Sequence, residues 1–177
     1  MMSGAFGIGT AAASAIFAAS TVANVLLLTP AARLSNVKSP FFVFNIGVIV
    51  CLAGFLMMWS VDWGLTRWMG VVGFLLTQAS WAPIATGMNV GVARLVSPEK
   101  ESETLGLANG FMSLDNMAGG LIAGALIAAL GYKSLFILGS GLAAAAFVLE
   151  FVHVPMRRRL EKAAGMAGGH ETPAGRR

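Results

Sequence analysis

Residues 41–60 read FFVFNIGVIVCLAGFLMMWS, a stretch without one Asp, Glu, Lys or Arg. At about 1.5 Å of rise per residue a helix of this length is roughly 30 Å long, the thickness of a bilayer's hydrocarbon core. Ser39-Pro40 opens the stretch. A proline lacks the N–H that a first helical turn leaves unused, and it biases the residue before it away from helix. Ser60-Val61-Asp62-Trp63-Gly64 separates it from the next apolar stretch. Apolar positions run on without alternating with polar ones, which excludes a barrel strand and leaves a membrane-crossing helix.

Four further stretches have the same character: 4–29, 66–93, 104–130 and 134–154. Thr29-Pro30 is expected to close the first. Ser97-Pro98-Glu99 places an N-cap residue, a proline at the first helical position and an acid near the positive end of the helix dipole. The helix begun there is expected to enter the membrane unbroken, its first turn or two lying outside the core. Gly131-Tyr132-Lys133 is a tight break before the last span. The sequence therefore predicts an all-α bundle of five spans over 1–155, with a basic tail at 156–177 whose Gly/Ala/Pro-rich end reads as disordered. Of 177 residues 56% are hydrophobic and 11% charged, against about 25% charged in a soluble domain. That excludes an ordinary soluble enzyme, and one cysteine excludes a disulfide scaffold.

The basic residues orient the bundle. Arg33, Lys38, Arg94, Lys100, Arg157, Arg158, Arg159, Lys162, Arg176 and Arg177 all fall on one side of a five-span arrangement. Only Arg67 and Lys133 fall on the other. The positive-inside rule then puts the C-terminus in the cytoplasm and the N-terminus outside, in a plasma (bacterial inner) membrane. Trp59, Trp63, Trp68 and Tyr132 form an aromatic belt at the outer level. The basic tail reads as an anchor to anionic membrane lipid rather than a nucleic-acid site. No Lys or Arg precedes Arg33, so a secretory signal lacks its positive region.

Several motifs carry no chemistry. Gly7-Ile8-Gly9 and Gly139-Ser140-Gly141 begin G-x-G-x-x-A matches, but a dinucleotide site needs a strand before the motif. Small residues in apolar helices instead let neighbours approach closely. Cys51 has no partner cysteine, and His153 and His170 lack the company a metal site needs. Neither a nucleophile triad nor a paired-carboxylate set can be assembled, and there is no phosphate-binding loop of the G-x-x-x-x-G-K type. The reading is not an enzyme, with no cofactor and no metal.

The most specific stretch is Arg94-Leu95-Val96-Ser97-Pro98-Glu99-Lys100-Glu101, followed by Thr104-Leu105-Gly106-Leu107-Ala108-Asn109-Gly110-Phe111-Met112-Ser113-Leu114, Gly119-Gly120 and Gly124. It resembles the connection between the tenth and eleventh helices of the major facilitator superfamily. Ala32-Arg33-Leu34-Ser35-Asn36, before Lys38, is a weaker echo of the cytoplasmic loop motif G-R-L-S-D-R-x-G-R between the eighth and ninth helices. Alanine replaces its first glycine, Asn36 replaces its aspartate, and its second glycine is missing. The resemblance implies that the five spans are helices eight to twelve, and it agrees with the sidedness read from the charges. It also implies ion-coupled, usually proton-coupled, secondary transport of a small solute or drug by alternating access between two six-helix halves. The chain is then expected to be a fragment that does not transport alone and whose partner is the missing transporter half. The alternative from another class is a small non-transporting membrane subunit that docks partner helices.

Candidate pathway residues follow from polarity inside the spans. Asp115 lies eleven positions after Thr104, roughly 16 Å into the membrane. No Lys or Arg occupies a span interior to pair with it, and an ionisable group there marks a pathway or proton relay by default. Asn109, Ser113, Asn116 and Gly120 share one helical face, and Asp115 lies on the adjoining one. In the third span Gln78 and Trp81 flank a kink expected at Pro83, which frees the carbonyl of Ala79. Asn24 in the first span is a weaker candidate. Gly119, Gly120 and Gly124 read as helix packing.

Overall fold

The computed structural model describes residues 7–61 and 66–149. These form α1 (Thr10–Val37), α2 (Pro40–Ser60), α3 (Arg67–Ala79), α4 (Trp81–Leu95), α5 (Pro98–Leu130) and α6 (Tyr132–Leu149). With α3 and α4 forming one span, Trp68–Leu95, five helices are long and apolar enough to cross a membrane. Several boundaries fall where turn chemistry puts them. Pro40 and Pro98 stand in the first turns of α2 and α5, and Ser39 and Ser97 hold the cap positions in extended backbone without a capping side-chain bond. Gly131 ends α5 with φ of 78°, a left-handed conformation that glycine adopts without a Cβ clash.

Two boundaries correct the expectation. The first span starts at Thr10 rather than residue 4, since residues 7–9 are not helical and Gly7 has φ of 62°. It also does not end at Pro30, because α1 continues through that proline to Val37. The proline costs one backbone bond, yet unwinding the chain in a bilayer would leave several polar groups without water. Arg33 and Asn36 thus sit in the last turns of a helix, not in a loop, and Lys38 is its C-cap. Residues 4–6, the stretch 62–65 with Asp62 and Trp63, and everything from Glu150 through the basic tail lie outside the described residues.

The close packing is between α2 and the α3–α4 span, and it is built from residues that lack bulk. Along α2 these are Pro40, Gly47 and Gly54; along the partner they are Gly73, Ser80 and Gly87, again seven apart. A repeat of seven keeps one face of each helix on a shared seam. A Cβ built on Gly73 would lie 2.6 Å from the Gly54 carbonyl oxygen, and one on Gly54 would meet the Gly73 carbonyl oxygen at 2.7 Å and the Thr77 hydroxyl. On Gly87 it would lie 2.6 Å from the Pro40 carbonyl oxygen, and on Gly47 it would be 3.0 Å from that of Ser80. The contacts run in opposite directions along the two partners, so the helices are antiparallel. Backbone therefore meets backbone at this seam, where dispersion replaces the hydrophobic effect as the cohesive force.

Polar groups inside the seam return their hydrogen bonds to their own helix. Thr77 Oγ1 donates to the Gly73 carbonyl at 3.0 Å, and the Ser80 hydroxyl donates to that of Thr77 at 2.7 Å. Ser80 is also where the span breaks into α3 and α4, three residues before Pro83, as the proline chemistry requires. Around this pair, α1 packs chiefly on α4 and buries Ser20, Ala31 and Ser35. At one end Met58 and Phe136 are buried among Phe55, Trp59, Phe74 and Tyr132, which anchors α6 and sets Trp59 and Tyr132 at a common level. The 33-residue α5 buries no residue; it packs on α4 and receives a hydrogen bond from the Ser134 hydroxyl at the start of α6 on its Leu126 carbonyl oxygen at 3.5 Å.

The two kinds of glycine should respond oppositely to a methyl group. Gly54→Ala forces backbone apart and is expected to cost about 1–3 kcal/mol, the range for overpacking. Gly110→Ala on α5, where nothing lies within 4 Å, should leave stability unchanged or raise it. Thermal unfolding of the two variants in detergent separates them, and a Gly54→Ala protein as stable as the parent would contradict the seam.

Candidate functional site

α5 carries the densest set of candidate residues. Its 33 residues make a rod of about 50 Å, so part of it extends past a 30 Å core. Glu99 and Glu101 occupy its first turn at the positive end of the helix dipole. Asp115 falls near the middle of the rod and is exposed, as are Asn109, Ser113 and Asn116. Ser113 donates to the Asn109 carbonyl at 2.9 Å, which satisfies its hydroxyl locally. Gly119, Gly120 and Gly124 also face open space, with nothing within 4 Å of a Cβ built on any of them. The structure thus gathers Asp115, Asn109 and Asn116 on one exposed helix and, among the described residues, brings no neighbouring helix against the three glycines.

The other candidates lie elsewhere. Gln78 is half-buried at the end of α3, and Trp81 is 38% exposed at the start of α4, so both flank the break with Pro83. Asn24 sits on the α1 face that also carries Ser20, Ala31 and Ser35. Its side-chain carbonyl oxygen is shielded and has no hydrogen-bond partner among the described residues. None of these three residues is on α5. The structure therefore separates the candidates: an exposed set on α5, Gln78 and Trp81 at the α3–α4 break, and Asn24 on α1.

Two features escaped the sequence reading. The amide oxygen of Asn45 is buried with no hydrogen-bond partner among the described residues, like those of Asn24 and of Asn89, a polar residue of the third span. Asn45 was legible only as a single amide in an otherwise apolar span. The second feature is Arg94. Its Nη2 donates to the Ser35 carbonyl oxygen at 3.4 Å and to Asn36 Oδ1 at 3.2 Å. One guanidinium at the C-terminal end of α4 thereby satisfies groups in the last turn of α1, where helix carbonyls lack intrahelical donors. The sequence shows Arg94 as one of the basic residues that set topology and as the start of the family-like stretch, but a separation of 58 residues to Asn36 gives no sign of the contact. Of the motif residues, Asn36 takes part in this bond while Arg33 and Lys38 are exposed.

Chemically, the uncovered face offers a carboxyl, two amides and a hydroxyl at bilayer depth, which suits exchange of a proton or recognition of a polar solute. Among the described residues no three His, Cys, Asp or Glu side chains come together as a metal site. No solved structure matches the chain. A family model described as Major Facilitator Superfamily matches residues 1–175. That match covers all five apolar spans, and the chain accordingly belongs to the major facilitator superfamily of membrane transporters.

Proposed function

We propose that this chain supplies helices eight to twelve of a proton-coupled secondary transporter in the plasma (bacterial inner) membrane. Its C-terminus is cytoplasmic and its N-terminus outside. Membership of the family makes it an integral membrane protein of a class that moves small solutes. The observation that carries the finer reading is Asp115: a carboxyl at mid-length of a membrane-crossing helix, exposed, on a rod that buries nothing. A carboxylate left in hydrocarbon is costly, so it either holds a proton or meets a cation. An uncovered polar face at this depth is what the second half of a transporter would close over. In this reading Asp115 exchanges the coupling proton, Asn109 and Asn116 contact the solute, and Gln78, Trp81 and Asn24 line the route from the α1 and α3–α4 side.

The sidedness is supported by the position of the basic residues and by the Arg94 contact, which draws together the ends of α1 and α4, both of which carry positive charge. A second reading, a subunit that docks partner helices without transporting, is favoured by the open surroundings of Gly119, Gly120 and Gly124. The two readings differ in what the α5 carboxyl does.

Proteoliposomes provide the test. The chain alone is expected to give no solute accumulation under an imposed pH gradient, and the chain assembled with the remaining transporter helices is expected to give it. In that assembly Asp115→Asn should lower the initial rate by on the order of tenfold or more, and should abolish the response to the pH gradient. Unchanged proton-coupled transport in Asp115→Asn would remove Asp115 from the pathway, and transport by the chain alone would overturn the fragment reading. Sidedness has its own check: a cysteine at Lys38, in a Cys51→Ala background, should react with an impermeant thiol reagent only from the cytoplasmic side.

A further inference from the structure

Positions 20, 24, 27, 31 and 35 fall on one face of α1, the face turned to the bundle. Burial along that face is uneven. Ser20 is 2% exposed, Ala31 8% and Ser35 0%, yet Leu27 between them is 38% exposed. Both ends of the helix are fastened. The Phe17 ring lies 6.5 Å from that of Phe74 on α3, and at the other end Arg94 of α4 holds the Ser35 carbonyl and Asn36. Between these fastenings the turn at Leu27 stands off the bundle. Beneath it lies an open groove of about 260 Å³, whose opposite wall includes Ile46 and Val50 of α2 and Ala79 of α3.

The local backbone accounts for the lift. Pro30 lies inside α1 and has no N–H for the Leu26 carbonyl, so the helix is free to bend in the turn that carries Leu27. Two unfavourable features meet there. The Asn24 side-chain oxygen, on the same face, is shielded with no hydrogen-bond partner among the described residues. Leu27 and the side chains opposite forgo the dispersion contacts that the glycine seam achieves nearby. Lowering the Leu27 turn regains those contacts and moves Asn24 out of its present surroundings. With both ends fastened and one hydrogen bond already missing, that motion is the bending of one helix and leaves the seam between α2 and the α3–α4 span intact.

We propose that the middle of α1 is a strap with two positions: lifted, as in the structure, and seated, with Leu27 against Val50 and Ala79. Pro30 is its hinge, and the Phe17–Phe74 pair and Arg94 are its anchors. Asn24 lies three residues from Leu27, less than one helical turn, and travels with it, so the strap sets how the Asn24 amide is presented. That last consequence alone rests on the transport reading. The strap itself involves neither Asp115 nor any other residue of α5.

Pulsed dipolar spectroscopy on the full chain in nanodiscs tests this. Nitroxides are carried on cysteines replacing Val25 of α1 and Ile49 of α2, both exposed, in a Cys51→Ala background. Two populations of distance are expected. Pro30→Ala restores the bond to the Leu26 carbonyl and should remove most of the longer one. Leu27→Trp is too bulky to seat and should remove the shorter one. Arg94→Ala releases an anchor and should broaden both. A second pair of nitroxides, at Ile49 and Leu75, spans the seam and should keep one distance in every variant. A single Val25–Ile49 distance that neither Pro30→Ala nor Leu27→Trp moves would overturn the strap. So would a Val25–Ile49 change matched by an equal change across the seam, which would make the motion one of the whole bundle.

Discussion

Two backbones in contact along α2 and the α3–α4 span are the constraint on which the rest of this bundle depends. In water the burial of large apolar side chains would hold two such helices together, but lipid tails are as apolar as leucine and remove that driving force. What remains is the density of atoms brought into contact, and that rises as side chains shrink. Gly54 and Gly73 face each other's carbonyls, Gly87 meets the backbone at Pro40 and Phe44, and Ser80 is 1% exposed between them. A single branched side chain at any of these positions would separate the helices over a full turn.

The seam also explains how a broken helix persists. Pro83 cannot donate to the Ala79 carbonyl, and the span divides at Ser80. Both halves are nevertheless held against the same partner, α3 through Gly73 and α4 through Gly87, so the break is a joint in a supported rod. Arg94 ties the far end of α4 to the end of α1. The proline in α1 is carried in the same way, within a continuous helix whose neighbours bury Ser20, Ala31 and Ser35. Against this packed group α5 buries no residue, and Asp115, Asn109 and Asn116 on it are exposed.

The number and kind of spans were legible in the sequence because they depend on composition over twenty residues at a time. The breaks at Pro40, Pro83, Pro98 and Gly131 were legible because they depend on a local backbone rule. Pro30 was misread by the same rule, since the rule prices one lost hydrogen bond and the bilayer prices all those that unwinding would expose. Packing was the part that stayed hidden. Gly119, Gly120 and Gly124 have the spacing of a helix interface and meet nothing among the described residues, whereas Gly47, Gly54, Gly73 and Gly87 make the seam. Glycine spacing says that a face can be approached closely; which helix approaches it depends on the fold. Asp115 could be singled out as a lone carboxyl in an apolar helix, but the Arg94 contact and the shielded amide of Asn45 depend on tertiary proximity.

The division of the bundle into a sealed seam and an exposed α5 face can be measured directly, and the proposed transport pathway with it, in the chain assembled with the remaining helices that the proposed function calls for. In a Cys51→Ala background, single cysteines replace Ser80, Ser113 or Asn116, and their reaction rates with a membrane-impermeant maleimide are compared. A cysteine at Ser80 should stay unreactive, held between two backbones, while cysteines at Ser113 and Asn116 should react from the aqueous pathway. Ready labelling at Ser80, or protection at both α5 positions, would contradict the account.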